Sequence, residues 1–502
     1  MPGTVFLYLF CIGVASATIT YVLQGARGGH TGPKGVWITG NLRDLSSGHQ
    51  WRKFSEWSKV FGEIIYLKVF GHQIVILNSL SDALELMDKN GAIYSDRPRL
   101  VYIHDLLKIK SVTFMPYGSS WRMNRRLFHQ YLSARALGEL RTYQTMCVRE
   151  LLVDLLESED FWGKITKYST SLILRTTYGY ERSSDNGKLI EMNVSADKVI
   201  FGPGPPGATA VDVFPLLRFI PSWMPGGSLK KFAFRNRVAL WEVSNRPYEL
   251  VKEEWASGNA RPCLLTRMLD DSKSADESHY QTIRDVCASM YRATVGTSSA
   301  IIYVFILAML LHPHAARKAQ KELDSVLQQN RLPGHEDKDS LPYIDCILKE
   351  CMRWRPPAPL GMAHRAMEAG NLAGKRIHKG SIILPNIWHM MHDTKNYEGP
   401  DVFNPDRFMG NSPAMDPSIA IFGFGRRICP GRFFAESNLW LVMASILAAF
   451  DISPELDEKG REILPDSENF TPHLISFPIK FPCKFSLRIS ESLLHVESTQ
   501  SS

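Results

Sequence analysis

The sequence predicts a mainly α fold with a small β part, carried behind an N-terminal transmembrane helix. Three observations point there. Val5 to Leu23 (VFLYLFCIGVASATITYVL) carries no charge and is about long enough to cross a bilayer core. Paired β-branched runs concentrate in one place, Glu63 to Asn78. Beyond that stretch, apolar residues recur mostly at helical spacing.

A chain of 502 residues could bury one large core or several ordinary ones. No internal repeat, low-complexity block or interdomain linker divides it, so one body is the economical reading. The expected organisation is an anchor at 1–24, a Gly-rich hinge and linker at 25–40, a single body at 41–490 and a polar tail at 491–502. Arg27 and Lys34 follow the apolar run, which places the body on the cytosolic side by the positive-inside rule. A cleaved signal peptide is the competing reading. Against it, no basic residue precedes the run, and the run exceeds the usual apolar core of such peptides.

Within the body, EIIYLKVFGHQIVILN around Gly71-His72 is a hairpin signal. Ala300 to Leu311 is apolar all round but too short to span a membrane, so it is expected as a central buried helix. Pro313 ends it and can start the next, whose Ala315, Ala319, Leu323, Val326 and Leu327 share one face. A further helix starts near Ser340-Leu341-Pro342, with Ser340 as its cap, and stops before Pro356-Pro357. The last long helix runs from about Gly431 to Phe450. Polar loops are expected at Asp270 to His279 and Gln328 to Asp339.

Composition narrows the function classes. A formal charge of +7 is mild for this length and admits an acidic partner or a membrane surface, whereas no long basic run suggests nucleic acid. Eight scattered cysteines fit neither a disulfide scaffold nor a paired zinc spacing, which implies a reducing compartment. Asn193 and Asn469 stand in glycosylation patterns that a cytosolic body would leave unused.

A lone cysteine is usually a structural one. Cys429 differs because it follows a Gly-rich loop (Phe422-Gly-Phe-Gly-Arg-Arg-Ile-Cys-Pro-Gly431) and precedes a long helix. Backbone N–H groups at a helix start stabilise a thiolate, and glycines let backbone approach closely. Such a thiolate can ligate haem iron and favour O–O cleavage. The segment resembles the haem-binding signature F-x-x-G-x-R-x-C-x-G of the cytochrome P-450 family, matched at Phe422, Gly425, Arg427, Cys429 and Gly431.

That resemblance implies a cytochrome P-450 fold over the body, with haem b held by Cys429 as the metal ligand, Phe422 shielding its sulfur and Arg427 reaching a propionate. Glu350 and Arg353 resemble the family's E-x-x-R pair, and Arg407 the later arginine that completes a charged triad. Singly, each reads more simply as a surface ion pair; their order ahead of the Cys loop favours structural support for it. Trp121-Arg-Met-Asn-Arg125 is similar to the family's W-x-x-x-R helix, where Trp121 and Arg125 share a face and can donate to a propionate. His364 and Arg365 are further candidates for that role, with a satisfied loop histidine as the alternative for His364.

The central helix departs from the pattern (A/G)-G-x-(D/E)-T-(T/S). Here it reads Ala293-Thr-Val-Gly-Thr-Ser298, so Thr297 fills the threonine position and Gly296 replaces the acid. Asp285 and Glu277 lie too far upstream to substitute. Catalytic proton delivery would fall to Thr297, to Ser298 or Ser299, or to water.

What the resemblance implies in activity is a monooxygenase that inserts one oxygen atom from O2 into a small lipophilic secondary metabolite. Val211 to Gly226 and the Trp354 turn are similar to fungal members, which leads to a terpenoid as the expected substrate class. Two alternatives stay open because of Gly296: a haem-thiolate isomerase, dehydratase or peroxide-using enzyme, and a non-catalytic haem-binding protein. Electrons are expected from an NADPH-dependent cytochrome P-450 reductase meeting Arg122, Arg426 and Arg432. The expected location is the endoplasmic reticulum membrane, single-pass, with the catalytic domain cytosolic. Val211 to Gly226 could dip into the bilayer or form a plain packed loop.

Overall fold

The computed structural model describes residues 31–45, 48–180, 196, 198–202, 207, 209–272 and 276–494. The anchor at 1–24, Asn193 and most of the polar tail lie outside them.

Numbering only helices of seven residues or more, the described order begins with α1 (Gln50–Phe61), β1 (Ile64–Val69) and β2 (His72–Leu77). Four helices come next: α2 (Ser119–Leu132), α3 (Gly138–Glu157), α4 (Phe161–Tyr178) and α5 (Ser228–Ala256). Then follow α6 (Leu264–Asp270), α7 (Glu277–Leu311), α8 (Pro313–Leu327) and α9 (Pro342–Trp354). Short strands β3 (His364–Arg365), β4 (Gly370–Leu372), β5 (Lys375–Ile377) and β6 (Ile382–Pro385) lead to α10 (Arg432–Ala449), β7 (Phe450–Ser453) and β8 (Lys484–Leu487).

The sheet is small because few segments alternate. Its order is β1-β2-β6-β3. β1 and β2 form the expected antiparallel hairpin, closed at Phe70 and Gly71 with φ of 45° and 84°, the left-handed pair that a two-residue turn requires. β2 then pairs in parallel with β6, Ile74 opposite Ile382, so the chain between them must cross over. That crossover is the helical body.

At its centre lies α7. It touches α2, α4, α5, α6, α8, α9 and α10. The helix is long and apolar enough to cross a membrane, yet 78% of its apolar window is buried inside the protein, which makes it a core helix. It is longer than the apolar run at 300–311 suggested, because Asp276 caps it by accepting from His279 N at 2.9 Å. Across α8, Ala315, Ala319, Leu323 and Leu327 are buried and Val326 is half-buried, as the spacing predicts.

Three expectations need correction. Residues 31–40 are not hinge. Tyr66 N donates to Thr31 O at 2.9 Å and Asn41 N to Lys68 O at 2.7 Å. A Cβ at Gly32 or Gly40 would run into the carbonyl oxygens of Tyr66 or Lys68, so these glycines serve close approach, not flexibility. Ser340 does not cap α9; it ends a 3₁₀ turn at His335–Ser340, and Leu341 takes the cap position without a side-chain bond. The Glu322 carboxylate of α8 supplies the acceptor instead, both oxygens lying 3.1 Å from Tyr343 N. Finally, the body runs to Leu494, which is buried against the core, and not to 490.

Glu322→Ala should lower stability by about 1 kcal/mol, the usual worth of a helix cap, with Glu322→Gln intermediate. Thermal midpoints of the three proteins check this, and equal midpoints would show that water replaces the carboxylate.

Candidate active site

Phe422 to Gly431 forms a closed loop between one helical turn (Ser418–Ile421) and α10. Its ends meet where Cys429 N donates to Phe422 O at 2.7 Å. Gly423 and Gly425 take φ of 79° and 50°, and a Cβ at Gly425 would run into the Met87 carbonyl. Glycine is thus required by the backbone at both places. Cys429 is half-buried in this loop, just before the Gly431 cap of α10. Burial pushes its thiol up, while the Gly431 N–H and the charges of Arg125 and Arg432 pull it down against Glu436.

Around the thiol the structure gathers cations. Arg427 is buried, its Nε donating to Ser95 O at 2.7 Å, Nη2 to Met115 O at 2.8 Å and Nη1 to Val112 O at 3.2 Å. Three of its five N–H groups are used. Its guanidinium sits 4.4 Å from the Trp121 ring centre, which is buried on α2. Arg125, one turn on, makes no hydrogen bond to a described residue; burial and Arg432 push its pKa down, while Cys429 raises it. His364 is buried too, its Nδ1 2.7 Å from Tyr94 O, and burial with Arg97 and Arg427 holds it well below the ordinary histidine range.

Arg97 was not singled out in the sequence. It is buried and donates to Thr113 O, Met362 O and Ala363 O at 2.7–2.9 Å. Burial, then Arg427, pushes its pKa down. No motif marks it, because its partners are backbone carbonyls from two remote segments. Arg365, by contrast, is committed elsewhere: it pairs with Asp96, whose second oxygen accepts from Tyr117 N at 2.8 Å.

The supporting triad assembles on α9 and the segment after it. Glu350 and Arg353 are fully buried one turn apart on α9, with Oε2 2.7 Å from Nε and Oε1 2.8 Å from Nη2. Arg407 approaches the same carboxylate at 3.1 and 3.2 Å, and Asn404 N donates to it at 2.8 Å. Arg353 also donates to the carbonyls of Met391 and Pro400, and Arg407 to those of Glu398 and Val402.

Along α7 a short strip stays accessible. From Val286 to Leu310 its residues are buried except Arg292, Ala293, Thr294, Gly296 and Thr297. Thr297 Oγ1 donates to Ala293 O at 2.8 Å, which leaves its lone pairs free to accept. Ser298 does not share the strip; it is a further 100° round the helix and buried. Ser299 points away altogether, donating to Ser169 on α4 at 2.9 Å.

The residues fit haem. Among the described residues no three His, Cys, Asp or Glu side chains converge as a metal site, so an iron at Cys429 must bring its other ligands with it. Four buried or half-buried cationic and imidazole groups, each depressed by burial and by a neighbouring cation, suit the two carboxylates such a group carries.

Comparisons agree with this geometry. A family model described as cytochrome P450 matches residues 31–475. The chain is 37% identical over 471 residues to cytochrome P450 monooxygenase COX1 of Coprinopsis cinerea, covering 91% of each. It is 36% identical over 464 residues to cytochrome P450 monooxygenase claR of Ampulloclitocybe clavipes (91% of this chain, 86% of that one). Identity to cytochrome P450 monooxygenase 176 of Postia placenta is 38% over 469 residues (90% and 89%).

Removing Glu350 would strand two guanidinium charges in the interior, a loss of roughly 3–5 kcal/mol. Glu350→Gln should therefore yield little haem-loaded protein. Absorbance of haem relative to protein after purification measures it, and full loading of the variant would refute a supporting role.

Proposed function

The chain belongs to the cytochrome P450 family, and on that premise we propose that it inserts one oxygen atom from O2 into a small lipophilic terpenoid of fungal secondary metabolism. The observation that carries the reading is one half-buried thiol, Cys429, in a glycine-shaped loop with the charges of Arg125 and Arg432 beside it. The relatives compared above are all named monooxygenases, which favours oxygen insertion over the reductase-free alternatives.

Cys429 would ligate the haem iron, with Trp121, Arg125, His364, Arg427 and Arg97 holding the propionates. Haem bound there supplies the oxidising chemistry, its thiolate ligand favouring O–O cleavage. Thr297 then acts as an acceptor. With its own proton directed at Ala293 O, it holds a water at Oγ1 and does not serve as an acid. The accessible strip carries no carboxylate, and its one cation, Arg292, is tied to Lys110 O at 2.9 Å and to Ser244. An uncharged substrate suits such a wall.

Electrons would come from NADPH through a reductase. Arg122 and Arg426 both lie over the Tyr117 ring, at 5.7 and 5.6 Å, and Arg432 stands beside Cys429. An acidic partner would find these charges together on the thiol's side.

Support for a membrane location comes from the surface. The segment 211–226 is not a packed loop: Leu216 is 79% and Trp223 80% exposed, with Phe219 and Met224 beside them in sequence. Phe214 meets the Phe70 ring edge-on at the hairpin tip (4.6 Å), and Trp37 and Ile38 are exposed on the segment docked to β1. Apolar surface on this scale marks an interaction site; we assign it to the endoplasmic reticulum membrane, beside the single N-terminal span.

The reduced protein with carbon monoxide should show a haem-thiolate spectrum, lost in Cys429→Ala; a wild type without it ends the proposal. Given a reductase and NADPH, terpenoid candidates should gain one oxygen atom derived from O2. In liposomes of the full-length protein, brominated acyl chains should quench tryptophan emission less in Trp223→Phe than in wild type. Equal quenching would place the segment outside the bilayer.

A further inference from the structure

Residues 94–97 each hold one part of the cationic cluster. Tyr94 O faces His364 Nδ1 at 2.7 Å, and Ser95 O accepts from Arg427 Nε at 2.7 Å. Arg97 brings a guanidinium of its own. Between them lies Asp96, which is buried. Its Oδ1 accepts from Tyr117 N at 2.8 Å, one residue before the Gly118 cap of α2. Its Oδ2 accepts from Arg365 Nε at 3.0 Å and from Arg365 Nη2, while its carbonyl accepts from Arg365 N at 2.9 Å. One carboxylate thus ties the start of the helix that carries Trp121 and Arg125 to the strand that carries His364.

Its charge matters as much as its bonds. Arg97 and Arg427 donate to carbonyls, which solvate a guanidinium without cancelling its charge. Asp96 is the carboxylate whose field reaches both. Burial pushes Arg427 down to about 10, and Asp96 pulls against it. Burial and then Arg427 push Arg97 down, and Asp96 again opposes them. Arg365 draws on the same carboxylate from outside, with its side chain 39% exposed. The more Asp96 is neutralised by Arg365, the less of its field is left for the two inner arginines.

We infer that Asp96 is a positioning residue that acts through Arg97 and Arg427 to set how tightly the cluster holds the cofactor's two carboxylates, and that Arg365 sets the strength of Asp96. A carboxylate already beside two cations weakens their attraction for further carboxylates. The same carboxylate lowers the cost of keeping those cations buried together. Asp96 therefore assembles the cluster and limits its grip at once. Arg365 does the reverse, because it screens Asp96 from the side that faces water.

The inference rests on haem binding in this protein, so the carbon monoxide spectrum is recorded first. A wild type lacking the thiolate signature speaks against ligation by Cys429, whereas the rate at which haem leaves still tests Asp96. Transfer of haem to excess apomyoglobin, followed at the Soret band, gives that rate for the full-length protein. Asp96→Asn keeps an acceptor for Tyr117 N and removes the charge; it should slow haem loss about threefold. Arg365→Gln should speed loss about threefold, and should add little once Asp96 is already Asn. Haem dimethyl ester, which carries no free carboxylate, is the second probe, and with it neither substitution should change the rate. A purely structural role would move both probes alike. Should Asp96→Asn not fold, Arg365→Gln with the two probes decides alone. Faster loss from Asp96→Asn, unchanged loss from Arg365→Gln, or equal shifts with the ester overturn the inference.

Discussion

Glu350 is fully buried and receives two guanidinium groups, and the course of the chain from residue 391 to Cys429 follows from that meeting. One carboxylate cannot neutralise two cations. The surplus is met by carbonyl dipoles: Met391, Pro400 and Val402 around Arg353, and Glu398, Gly399 and Val402 around Arg407. All of these carbonyls lie within 391–402, so the charges can be satisfied only if that segment wraps around them. From there the path is continuous. Ala414 N donates to Arg407 O at 2.8 Å, Lys349 of α9 pairs with Asp416 at 3.3 Å, and Asp416 accepts from Ser418 N at 2.8 Å at the turn leading to Phe422.

The opposite edge of the site is built by unsatisfied charge. Arg427 depresses Arg97, Arg125 depresses Arg427, and Arg97 and Arg427 both depress His364. Asp96 partly offsets this but is shared with Arg365. Buried cations persist when something anionic compensates them. Two carboxylates entering beside Trp121 would do so, which makes the cofactor part of the fold's electrostatics as well as its chemistry. The triad needs no ligand, being complete within the protein. The cationic cluster is complete only with one.

How much of this was legible in sequence follows the range of each interaction. The Cys loop and the Glu350–Arg353 pair were readable because their partners lie within ten residues, where spacing fixes geometry. The hairpin was readable for the same reason. Arg97 was invisible, since its acceptors are carbonyls near 113 and 362 and any residue type provides a carbonyl. The cap of α9 was misassigned because Glu322 arrives from another helix. Residues 31–40 were misread because glycine signals both freedom and close approach, and composition cannot separate the two. Ser298 was proposed beside Thr297 from adjacency in sequence, where helical periodicity sends neighbours to different faces.

The two sides of the centre therefore obey different rules. Towards Cys429, position is enforced by charge burial and by glycines whose backbone no other residue could adopt; substitution there breaks the fold. On α7, a Cβ at Gly296 would do no more than touch the Phe477 ring. Such a contact can change without unfolding anything, because no buried polar group is stranded when it does. The costly interactions thus hold the Cys loop in place, while the inexpensive contact can vary at little cost to the fold. A family motif reports the first and stays silent on the second.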